Sequence, residues 1–133
     1  MINLIHKIAA SKDDVVFVGS VSLWYSKLID DPHDIDIVVN NLDGLEAFGK
    51  IDTWETKSPM SISGKRACIR REDCTIDIFI EVALPEYNII DGVKFQTLDC
   101  FKKFIDDCID ISEGPRKSIL MQKKKFIDYL IQK

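Results

Sequence analysis

The chain has 133 residues, 46 % of them hydrophobic, which suits one domain with a real core. Charged residues make up 30 %, the formal net charge is -4 and the pI is near 5.1, so the surface as a whole does not attract polyanions, and any nucleotide or RNA contact needs a local basic patch. No apolar run approaches the roughly 18 residues of a membrane span, and Met1 to Lys12 mixes apolar positions with His6, Lys7 and Lys12, so neither a signal peptide nor a membrane helix is expected.

Leu4, Ile5 and Ile8 recur at helical spacing within Asn3 to Ala10, and Ser11 to Asp14 breaks the pattern with short polar residues. Val15 to Val18 is a β-branched and aromatic run that ends at Gly19-Ser20, after which Val21 to Ile29 can form a helix. Asp30 to His33 contains Pro32 and reads as a loop. Asp34-Ile35-Asp36-Ile37-Val38-Val39 then alternates like a strand, beginning at or just before the first carboxylate. Leu45 to Gly49 suggests a short helix and Ile51 to Thr56 a strand. Ala67 to Arg71 and Thr75 to Val82 read as two strands joined at Glu72 to Cys74, with Asp77 and Glu81 on one face. Asn88 to Phe95 is extended on both sides of Asp91-Gly92, a strong turn signal. Thr97 or Asp99 can cap a helix through Cys108 with an apolar stripe of Leu98, Phe101, Ile105 and Cys108. Gly114-Pro115 marks a restart, and Arg116 to Lys133 is helical with Ile119, Leu120, Phe126, Ile127 and Leu130 inward. The expected fold is an α/β or α+β domain spanning residues 1–133, with a mixed sheet flanked by helices and two helices at the C-terminus.

The four cysteines, Cys68, Cys74, Cys100 and Cys108, contain no CxxC pair. Cys100 and Cys108 fall on one expected helix about 12 Å apart, beyond disulfide reach. His6 and His33 are too far from any cysteine in sequence for a zinc motif. These read as reduced, mostly buried thiols of a cytoplasmic protein.

Three features can carry chemistry. A Gly19-Ser20 turn before a helix presents backbone N–H groups and a serine hydroxyl toward a phosphate; its plainer reading is a turn with an ordinary capping serine. Asp34 and Asp36, two apart on a strand, point to one side, where their like charges are tolerable beside a divalent cation such as Mg²⁺ or Mn²⁺, or at a solvated strand end. Asp77 sits among Ile76, Ile78 and Ile80 and needs a partner, either a cation or an arginine such as Arg66 or Arg70.

Order and spacing then matter. Val16-Phe17-Val18-Gly19-Ser20, thirteen further residues, Asp34-Ile35-Asp36-Ile37, and Thr75-Ile76-Asp77-Ile78 downstream resemble the DNA polymerase beta-like nucleotidyltransferase superfamily. The resemblance covers residues 14–82, the expected catalytic core, and implies the sheet type of that superfamily. It extends loosely to residues 97–133, where Lys125-Phe126-Ile127-Asp128 is similar to a late-helix pattern whose lysine approaches nucleotide phosphates. By this resemblance Gly19 and Ser20 hold an NTP, with Lys125 near its phosphates. Asp34, Asp36 and Asp77 bind one or two Mg²⁺ ions, and Asp77 also acts as base. The implied reaction moves a nucleoside monophosphate to a hydroxyl on RNA, a protein or a small molecule. The alternative is a catalytically silent module of the same fold that binds nucleotide or a protein partner. His33 beside Asp34 could support the site or simply be exposed. Lys65, Arg66, Arg70 and Arg71 could contact phosphate or form a solvated hairpin, Lys123 to Lys125 could be a solvated helix face, and Trp24 reads as core.

Overall fold

A computed structural model describes residues 2–25, 34–56 and 61–132 of the chain. The end of the helix expected after Gly19-Ser20, the loop 30–33 with His33, and the side chains of Trp24 and Leu130 lie outside what is described. The elements are α1 (Ile2–Ser11), β1 (Val16–Val18), α2 (Ser20–Tyr25), β2 (Ile35–Val39), a 3-10 turn (Leu45–Phe48), β3 (Ile51–Glu55), β4 (Lys65–Arg70), β5 (Thr75–Ile80), β6 (Tyr87–Ile90), β7 (Val93–Gln96), α3 (Leu98–Ile111) and α4 (Pro115–Gln132). No helix among the described residues is long and apolar enough to cross a membrane.

Seven strands form one mixed sheet in the order β3-β4-β5-β2-β1-β7-β6. The two parallel contacts are β2 with β5 and β1 with β7; the other neighbours run antiparallel. Strand alternation sorts the side chains into two faces. Phe17, Ile35, Ile37, Ala67, Ile69, Ile76, Ile78 and Phe95 point to one face and form the main core with Leu4, Ile5 and Ile8 of α1. The opposite face carries Val16, Val18 and Val38, a smaller cluster backed by Phe79 and Leu84. It also carries Asp36 and Asp77, because directly paired residues share a face: Val18 lies opposite Asp36, Asp36 opposite Asp77, and Asp77 opposite Cys68.

The extended segment around Asp91-Gly92 is the β6–β7 hairpin, and the turn places Asp91 at φ 53 and Gly92 at φ 78, both left-handed, as a two-residue hairpin requires. β7 then docks beside β1, so the sheet continues past residue 82. α3 and α4 pack on each other through Ile105, Cys108, Leu120 and Ile127, a second core. The ion pairs Lys102–Asp128 (2.9 Å) and Lys124–Asp106 (2.8 Å) link the same two helices. Ile119 and Phe126, expected inward, are 55 % and 46 % exposed. Among the described side chains α4 buries only the narrow stripe of Leu120 and Ile127 against α3, and both residues lie outside it. All four cysteines are free thiols; Cys68 and Cys108 are buried, while Cys74 and Cys100 are partly exposed.

Candidate active site

β1 ends at Gly19, which adopts φ +69, and a Cβ there would lie 2.8 Å from Asp36 Oδ2. The position therefore demands glycine twice over, for its backbone conformation and for the close approach of the chain to a carboxylate. The turn is braced by Ser22, whose Oγ donates to the Gly19 carbonyl (2.7 Å), and by Gln96, whose Oε1 accepts from the Gly19 N–H (3.3 Å). That N–H is therefore already engaged, while Ser20 faces the same cavity as Asp36.

Asp36 and Asp77 stand side by side because β2 and β5 run parallel with these two residues in register. Burial and the neighbouring Asp77 and Asp34 charges push the Asp36 carboxyl up to about 7, with Arg66 opposing the rise. Burial and the Asp34 charge likewise raise Asp77, again against Arg66. Asp36 is the more strongly raised chiefly because it is the more deeply buried of the two, with the Asp77 charge beside it adding to the effect. Burial and mutual repulsion thus work against both carboxyls being ionised at once, a place where a divalent cation would offer neutralisation. Their oxygens are the hard donors that Mg²⁺ or Mn²⁺ prefers. Asp34 lies just before β2, partly exposed, and bears on the pair through its charge. Among the described residues no three His, Cys, Asp or Glu side chains converge closely enough to form a complete metal cage.

Arg66 is not ion-paired to Asp77 among the described residues. It stands opposite Phe79 on β5 and Trp54 on β3, with its guanidinium 3.8 Å from the Phe79 ring centroid and 5.7 Å from that of Trp54, and its Nε donates to the Ile78 carbonyl (3.3 Å). The rest of the sequence-level basic cluster disperses: Arg70 pairs with Asp52 (2.9 Å) and Arg71 with Asp73 (3.1 Å).

A cavity of about 560 Å³ opens beside Asp36, between the sheet and the α3–α4 pair. Gly19, Ser20, Asp36, Phe79, Glu81 and Gln96 line its sheet side; Phe101, Phe104, Lys123 and Ile127 line its helical side. Lys125 is exposed and is not part of this lining, whereas Lys123 of the same helix is. Sequence reasoning passed over Gln96, Phe79 and Phe104. A glutamine between Phe95 and Thr97 at a strand end was a usable signal, whereas an aromatic residue lining a cavity reads the same as one filling a core. No protein-family model, no curated protein and no solved structure matches the chain.

Proposed function

We propose that the chain is a metal-dependent nucleotidyltransferase that moves a nucleoside monophosphate from an NTP to a hydroxyl acceptor, on a sheet of the nucleotidyltransferase type. One observation carries the reading: Asp36 and Asp77 sit in register on adjacent parallel strands, with the Gly19 turn closed down on the Asp36 carboxylate. Asp34, Asp36 and Asp77 would hold Mg²⁺ or Mn²⁺, which supplies charge neutralisation at the phosphates when bound. Ser20 and the Gly19 turn position the triphosphate. Lys123 serves its negative charge from α4, in place of the Lys125 named by resemblance, because Lys123 faces the cavity. The acceptor oxygen bonds to the α-phosphorus, the bond from that phosphorus to pyrophosphate breaks, and the hydroxyl proton passes to the Asp77 carboxylate.

A catalytically silent module of the same fold that binds nucleotide or a protein partner is the second reading, favoured because no three His, Cys, Asp or Glu side chains among the described residues converge on one point. Calorimetry with each NTP, with and without Mg²⁺, tests the proposal on the wild type and on the Asp34→Ala, Asp36→Ala double variant. Magnesium-dependent binding lost in the variant is expected. Binding to no NTP would remove the transferase and leave a silent module that binds a protein partner, and binding without pyrophosphate release in the presence of candidate acceptors would leave a silent module that binds nucleotide.

A further inference from the structure

Two polar side chains in the sheet-side wall of the cavity beside Asp36, Glu81 and Gln96, spend hydrogen bonds inside the protein. The Glu81 carboxylate accepts from the Ser61 hydroxyl (3.3 Å), the Ser63 hydroxyl (3.3 Å) and the Ser63 N–H (3.1 Å). The Gln96 amide accepts from the Gly19 N–H (3.3 Å) and donates to Cys100 Sγ (3.6 Å). Apart from Ser20 and Asp36 at one end and the exposed Lys103, Asp107 and Lys123, the lining is mostly apolar: Val18, Val38, Phe79 and Leu84 from the sheet side and the phenyl rings of α3 and α4. A ligand part placed here gains by excluding water from apolar surface and finds few polar groups free to recognise it.

We infer that this cavity binds the apolar body of a small-molecule acceptor, a ring or alkyl compound whose hydroxyl is delivered to the Asp36–Asp77 end. Its role as an acceptor site rests on the nucleotidyltransferase reading; the apolar binding does not. The volume of about 560 Å³ lies inside the range of small-molecule sites. The charges argue against a nucleic-acid acceptor. Lys103 and Lys123 line the cavity together with Asp107, Arg70 and Arg71 are tied to Asp52 and Asp73, and the formal net charge is -4, so the described residues form no continuous basic track that would lead a phosphate backbone to the site.

The test is a fluorescence titration with the uncharged dye N-phenyl-1-naphthylamine, with and without saturating Mg²⁺–ATP. The variants are Leu84→Lys and Phe126→Ser, two cavity-lining positions outside the main cores, and the control is Ile89→Ser on the edge strand β6, 65 % exposed and not part of the cavity lining. Saturable binding, weakened about tenfold or more in the two folded cavity variants and unchanged in the control, is expected. It should persist with Mg²⁺–ATP bound. No saturable binding, equal binding in all variants, or expulsion of the dye by Mg²⁺–ATP, which would make the cavity the seat of the nucleobase, overturns the inference. Dye binding by a protein that calorimetry finds to bind no NTP supports the apolar site while sinking the transferase reading on which its acceptor role rests.

Discussion

At the scale of single residues, Asp36 shows how a site is held at the expense of stability. Its carboxyl titrates near 7 when folded, against an ordinary value of 3.8, so the folded protein keeps a proton through a pH range in which the unfolded chain has lost it. Stability is therefore favoured below the lower value and falls as pH rises through the upper one. The difference is on the order of 4 kcal/mol. Metal-free protein should show a falling unfolding free energy between about pH 4 and about pH 7 in urea titrations. In Asp36→Asn that slope should flatten, with the variant more stable than wild type at pH 8; a wild type with no slope in this window would show that burial does not raise the Asp36 carboxyl. Mg²⁺ should stabilise the wild type at pH 8 and leave Asp36→Asn almost unchanged.

At the scale of elements, α3 is set by its first turn. Thr97 is extended at φ -66 and ψ 151, and its Oγ1 accepts from the Cys100 N–H (3.1 Å), so the helix begins where β7 ends and carries Phe101 and Phe104 over the sheet. Thr97→Ala should lower unfolding free energy by about 1 kcal/mol in a denaturant titration, and an unchanged midpoint would show that the cap contributes nothing. The helix start and the Asp91-Gly92 hairpin were both legible in sequence because capping and left-handed turns are chosen by one or two local residues. The inward face of α4 was less legible. Its apolar residues spread over more than one side, and only contact with α3 decides that Leu120 and Ile127 are buried while Ile119 and Phe126 are not.

At the scale of the whole molecule, the protein has a large core under the sheet and a separate core between α3 and α4, with the cavity between them. β2 and β5 are interior strands whose ladders are paired on both sides, whereas the helical pair rests on a smaller cluster. Hydrogen exchange should therefore show stronger protection in β2 and β5 than in α3 and α4, by about tenfold or more, and a ligand in the cavity should raise protection of the helices selectively. Equal protection throughout would mean that the two cores open as one unit.

Much of the element order could be read from the chain alone, because helical and strand periodicity and turn chemistry are properties of a few consecutive residues. So could the candidacy of Asp36 and Asp77, since a carboxylate flanked by isoleucines in a strand must be answered by something. Only the tertiary structure decided that β2 lies beside β5 in a register that sets Asp36 against Asp77, that Gly19 closes on that carboxylate, and that Gln96, Phe79 and Phe104 border a cavity. Those facts depend on pairings between segments distant in sequence. They are settled by how seven strands and two helical layers share their apolar faces, and no local pattern carries that information.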